Sequence, residues 1–160
     1  MKWRVSAGLL VIALLGATGW FLYRTELPQT RSAAVSGPTV SFGDVSLRVD
    51  LATTSAEREK GLGGRTSIPE DYGMLFVFPK DDLYGFWMKD TLIPLDMFWL
   101  DGKGQVISIA QDVATSSFPN VFYPSAPARY VLETNAGFAR DHGIRTGTRF
   151  LLKNIPIVSE

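Results

Sequence analysis

The sequence predicts a mainly β fold, a compact antiparallel β-barrel or jelly-roll-like sandwich with two short helices, preceded by one N-terminal transmembrane helix. Two features predict the β domain. About eight short apolar or alternating segments are cut by glycine, proline and aspartate turns, and strand and helix patterns do not alternate as a parallel α/β sheet would require. A third feature, the uncharged run Val5–Tyr23, predicts the transmembrane helix.

The run reads VSAGLLVIALLGATGWFLY, with Lys2 and Arg4 before it and Arg24 after it. At roughly 1.5 Å per residue it spans the hydrocarbon core of a bilayer, and Trp20 and Tyr23 fall where amphipathic rings favour the interface. A cleaved secretory signal has a shorter apolar core, about 7–15 residues, closed by a small-x-small site. The sites around Ala17 and Ala33 are poor, so residues 1–25 read as an uncleaved anchor. Lys2, Arg4 and the terminal amine keep the N-terminus in the cytoplasm, since Glu26 partly offsets Arg24 and Arg31. The expected placement is therefore the inner (cytoplasmic) membrane, single-pass, with the C-terminal domain in the periplasm. Residues 26–38, rich in Ser, Ala and Pro, form the tether, and residues 39–160 form the domain.

Within the domain, Thr39–Phe42 and the alternating Val45–Ala52 form a hairpin about Gly43-Asp44. Thr54 and Glu57 stand at capping-box spacing and Gly61 supplies a stop, so Ser55–Lys60 is a short helix. Met74–Phe78 (MLFVF) is apolar throughout, as a strand covered on both faces must be. Phe86–Met88 and Leu95–Leu100 follow in the same manner, and the turn Asp101–Gly104 returns the chain as Gln105–Ala110. Arg129–Thr134 is a further strand, and the helix after it is expected to be capped by Asn135 and ended by Gly143. Thr148–Lys153 is the last strand. Between them, Asp112–Ala128 is a long connection, a length that signals function or disorder; its aromatic Phe118, Phe122 and Tyr123 argue against disorder and either cap an open end of the barrel or bind a partner.

Composition excludes several function classes. Acidic and basic residues balance at 16 each, so no global field recruits nucleic acid. Without cysteine, and with His142 the only histidine, a zinc site has too few ligands, and neither metal nor cofactor is expected. There is no nucleophile elbow, phosphate-binding glycine loop or zinc-protease helix.

One constellation remains. In GFWMKDTLIPLDMFWLDGKG, Lys89, Asp90 and Asp96 interrupt an apolar stretch, and strand parity separates Asp96, Phe98 and Leu100 from Leu95, Met97 and Trp99. A carboxylate on an apolar face needs partners, and Lys89, Arg65 and Arg129 are the expected ones, with Glu133 joining them. Such charges either form a satisfied network that sets strand register, or they form a site. As a site, Arg65, Trp87, Lys89, Asp96, Arg129 and Glu133 would bind an anionic or hydroxyl-rich ligand in a cleft lined by Phe86, Trp87 and Trp99. Asp96 and Glu133 could then act as an acid-base pair.

The series Arg58-x-x-Gly61-Leu62-x-x-Arg65, Gly73-Met74-Leu75-Phe76-x-Phe78, Phe86-Trp87-Met88-Lys89-x-Thr91-x-x-Pro94-Leu95-Asp96 and Tyr130-x-Leu132-Glu133-x-Asn135-Ala136-Gly137 closely resembles the family called domain of unknown function 192 (DUF 192). The resemblance runs from about Val45 to Phe150. It implies a compact β-barrel or jelly-roll-like sandwich, often exported or membrane-anchored, and no established activity. The chain departs from the family pattern at Gly63, where the pattern has Met, and at Asp90, where it has Asn.

Two functions follow as expectations. One is a membrane-anchored periplasmic accessory or binding domain without catalysis, docking onto another membrane protein or complex through the helix in the bilayer and the loop of Phe118, Phe122 and Tyr123. The other is small-molecule or glycan binding, with possible hydrolysis, at the Arg/Lys/Asp/Glu cluster.

Overall fold

The structure, a computed structural model, describes residues 37–159. The expected anchor and most of the tether lie outside the described residues, and no helix among the described residues is long and apolar enough to cross a membrane.

The elements run β1 (Thr39–Phe42), β2 (Val45–Ala52), α1 (Ser55–Lys60), β3 (Tyr72–Asp82), β4 (Leu95–Leu100), β5 (Val106–Val113), β6 (Ala128–Asn135), α2 (Phe138–Asp141) and β7 (Leu151–Lys153). The seven strands form one curled half-barrel sheet in the order β5-β4-β6-β3-β2-β1-β7. The residues that lead into β7 reach back to the other edge of the sheet. Phe150 N–H donates to Gly104 O at 2.9 Å, and Val106 N–H to Thr148 O at 2.8 Å.

Mainly β with two short helices is the architecture observed, but four local expectations change. Seven strands stand where about eight were expected, because Phe86 makes a single antiparallel bridge, to Phe122, instead of a strand. The β2–β3 pair is parallel, since the segment holding α1 is long enough to cross over and return in the same direction. Pro79 lies inside β3 instead of ending it. Lacking an N–H, it interrupts the ladder to β6, whose register shifts between Val77 and Asp82. Asn135 does not cap α2: it ends β6 and donates to Ile68 O and Pro69 O, while left-handed Gly137 holds the cap position.

The expected capping box of α1 is present. Thr54 Oγ1 accepts from Glu57 N–H at 3.2 Å, and Glu57 Oε2 accepts from Thr54 N–H at 2.9 Å.

Both faces of the central strands are covered, which explains the unbroken apolar runs of β3 and β4. One face packs Met74, Phe76, Met97 and Trp99 against Leu62, Phe86 and Met88. The other packs Leu75, Val77, Phe98 and Leu100 against Phe138, Ala139 and Phe150. The parity expected for β4 holds.

Candidate functional site

Glu133 sits in the middle of β6, opposite Met97 of β4 and Met74 of β3. These neighbours put its carboxyl on the first face, among sulfur and aromatic side chains. The residue is 4% exposed, and its side chain accepts no hydrogen bond and joins no ion pair among the described residues. Burial alone therefore weakens it as an acid and raises its pKa to about 8. At neutral pH the group is mostly the uncharged acid, able to donate one hydrogen bond and accept others.

The carboxyl lines the floor of a cleft of about 370 Å³. Phe76 and Phe78 of β3 and Tyr84, Phe86 and Trp87 of the segment after it line the walls. The rings hold one another: Phe76 meets Phe86 edge-on at 4.8 Å, and Phe78 stacks on Tyr84 at 3.5 Å. Behind them Trp99 Nε1 donates to Tyr84 O at 2.8 Å and locks that segment to the sheet.

Helix α1 forms one side of the mouth, contributing Arg58, Glu59 and Lys60. Arg58 is committed to the fold: Nη1 donates to Thr53 O at 2.6 Å and Val77 O at 3.0 Å, and the guanidinium lies 5.0 Å from the Phe78 ring centre. Gly61 ends the helix at φ +47°, and a Cβ there would meet Phe76 at 3.2 Å, so this turn packs closely against the aromatic wall. Lys89 lies across the mouth, exposed.

The expected cluster is divided. Trp87, Lys89 and Glu133 meet at the cleft; Arg65, Asp96 and Arg129 do not line it. Arg65 is on the surface, with Nη2 at 2.8 Å from Asp50 Oδ2 and Nη1 donating to Tyr72 Oη at 2.7 Å. The Arg65 hydrogen bond, followed by that of Tyr72, lowers the Asp50 pKa below the usual carboxylate value. Arg129 Nε donates to Asp81 Oδ1 at 2.6 Å.

Asp96 is wholly buried on the opposite face of the sheet from Glu133, and its expected cationic partners are absent. Its oxygens accept from backbone instead, Oδ1 from Asp112 N–H at 2.7 Å and Oδ2 from Ala139 N–H at 2.8 Å. The carboxylate thus caps the first turn of α2, which Gly137 cannot do with a side chain. With the two carboxyls on opposite faces, an Asp96–Glu133 acid-base pair is geometrically excluded.

The aromatic loop also divides. Phe122 faces inward against the core, while Val121 and Tyr123 lie over Gly85, whose Cβ position is 2.7 Å from each. Leu83 and Trp87, two residues to either side of Gly85, are exposed as well, so Leu83, Trp87, Val121 and Tyr123 make an exposed apolar patch beside the cleft. Phe118 is exposed and does not line the cleft, and Trp99 lies behind Phe86, outside it.

The sequence reading missed Arg58, Lys60, Phe76, Phe78 and Tyr84 as cleft residues. Arg58, Phe76 and Phe78 stand in the family series and Lys60 and Tyr84 in helical or apolar segments, but nothing in the sequence brings them to one cleft. Among the described residues no group of acidic or histidine side chains is placed to hold a metal ion.

Solved structures resemble the chain, among them the following two. A protein of Sinorhizobium meliloti described as a candidate transcription regulator is 31% identical, with a TM-score of 0.67 over 72% of this chain and 91% of that one. A protein of unknown function from Novosphingobium aromaticivorans is 34% identical, with a TM-score of 0.64 over 71% of this chain and 82% of that one. No curated protein matches. The family described as "Uncharacterized ACR", DUF192, matches residues 39–152. That span takes in every strand but the last residue of β7, the capped helix and the whole cleft, and the chain belongs to the DUF192 family.

Proposed function

We infer that this domain binds a small organic molecule in the cleft, with the inner end of the molecule against Glu133. The observation that carries this reading is a carboxyl 4% exposed, without a protein partner, at the floor of a ring-walled cavity. Its oxygens open onto the cleft without a protein partner, so a ligand group placed there gains their hydrogen bonds. A neutral acid recognises hydroxyl and carbonyl oxygens, and the exposed Trp87 ring offers a stacking surface for a flat or sugar-like body. Hydrolysis is not part of the reading, because Asp96 is on the other face and the cleft's second carboxylate is the exposed Glu59. The test is a fragment screen by ¹H–¹⁵N NMR on the full chain in mild detergent. Shifts concentrated at residues 58–62, 84–91 and 133 are expected; hits confined to other surfaces refute the site.

A second reading is favoured by the outer face of Leu83, Trp87, Val121 and Tyr123, which carries no charge. It is an anchored accessory domain on the periplasmic side of the inner membrane, held by Val5–Tyr23 and docked through this face onto a membrane protein or complex. Val121→Asp with Tyr123→Asp should release co-purifying membrane proteins without lowering the melting temperature. Undiminished association would exclude this face as the contact.

A further inference from the structure

Lys60 and Lys89 stand where two depressions meet. Both residues, with Glu59, line the aromatic cleft, and the same three line a second depression of about 380 Å³ completed by Ala56, Gly63 and Asp90. Gly63 keeps the second depression open. It has no side chain, and a Cβ there would press on Lys60 O at 2.8 Å. Neither lysine joins an ion pair among the described residues.

The charges that face this junction can be weighed. Arg58 is held by two backbone carbonyls and the Phe78 ring, so it is turned to the fold. Glu59 and Asp90 oppose the two lysines from the helix and the outer rim, and both are exposed and hydrated. Inside, Glu133 is the only ionisable group on the floor, and the rings around it carry no charge. The site is therefore polar at both ends and apolar between, with cations at the open end.

Resting on the binding reading above, we propose that the ligand is a flat, ring-bearing organic anion, its acidic group between Lys60 and Lys89 and its far end hydrogen-bonded to Glu133. A carboxylate or phosphate at the mouth gains charge-assisted hydrogen bonds from two ammonium groups that have no other partner. A hydroxyl or carbonyl at the inner end satisfies the buried carboxyl, and the body between stacks on Phe86, Trp87 and Tyr84. A cationic ligand is disfavoured because it must pass the lysines before reaching the floor.

The test is calorimetric titration of the full chain in mild detergent, with protein-free detergent as the blank. The probes are 6-hydroxy-2-naphthoate and its neutral amide. The naphthoate is expected to bind about tenfold more tightly than the amide, the gain two modest ion pairs supply. In the Lys60→Gln, Lys89→Gln double variant that preference should vanish. A third probe, 2-naphthoate, lacks the inner hydroxyl and should bind more weakly than the hydroxylated form in the native chain but equally in Glu133→Leu. Equal affinity for acid and amide, or a preference that survives the double variant, overturns the charge assignment alone. Binding of neither probe overturns it together with the cleft reading.

Discussion

Glu133 and Asp96 are two buried carboxyls with opposite solutions to the same energetic problem. Asp96 is satisfied by two backbone amides and belongs to the fold. Asp96→Asn replaces one acceptor by a donor facing an N–H, so it should cost about 1–3 kcal/mol and lower the melting temperature by several degrees. Titrations at the cleft should be unaffected, because the residue is on the other face. The Glu133 side chain has no such partners, and burial raises its pKa from 4.5 to about 8. The unfolded chain therefore loses this proton first, and stability falls as pH rises through the window between those values. Glu133→Gln removes the titration. Its stability advantage over the native chain should widen by up to about 1.4 kcal/mol per pH unit across that window, as measured by urea unfolding at pH 5 and pH 8. An advantage that does not change with pH would mean the carboxyl is paired or hydrated. The charged character of these residues was plain in the sequence; their partners were not. Asp96 is satisfied by amides 16 and 43 residues away, and Glu133 is isolated by a strand register that no local pattern encodes.

Helix α1 is the element that links local sequence to the site. Its capping box was legible from Thr54 and Glu57 alone, and the same few residues present Arg58, Glu59 and Lys60 to the cleft. Glu57 is fully exposed, yet hydrogen bonds from Thr54 and Thr53 lower its pKa to about 2. The stabilisation from this carboxylate is present above about pH 4.5 and is lost as pH falls toward 2. Thr54→Ala should cost about 1 kcal/mol and loosen the mouth of the cleft. Faster amide exchange at residues 57–61 would accompany weaker binding of 6-hydroxy-2-naphthoate. Unchanged exchange would place the helix's stability in its packing instead. The segment of Phe86 carries the opposite lesson. It looked like a strand because it is apolar, but its one backbone bridge among the described residues is Phe86 to Phe122, with Tyr84 and Phe86 packed on the core and Leu83 and Trp87 exposed.

At the scale of the whole molecule, the curl of the sheet depends on the close approach of residues 104–106 and 147–150. Gly104 sits at that crossing with φ +79°, and a Cβ there would be driven into Phe150 O. Gly104→Ala should destabilise the domain by more than about 2 kcal/mol in denaturant unfolding, whereas Gly102→Ala, whose Cβ meets nothing, should be near neutral. Similar costs for both would show that the crossing does not hold the curl. The class of fold was legible because the segments are short and mostly alternating or apolar. The parallel β2–β3 pair was not, since only the length of the crossover around α1 hints at it. The cleft itself arises only when that crossover and the segment after β3 close over one face, so its aromatic walls read in sequence simply as core.

The central claim is that Glu133 stands unpartnered and largely protonated on the floor of this cleft. A ¹³C NMR titration of its side-chain carboxyl in the full chain tests that most directly. A midpoint near 8, with the neutral acid dominant at pH 7, is the predicted result. A midpoint near 4.5 would mean a hydrated or ion-paired carboxylate and would contradict the account.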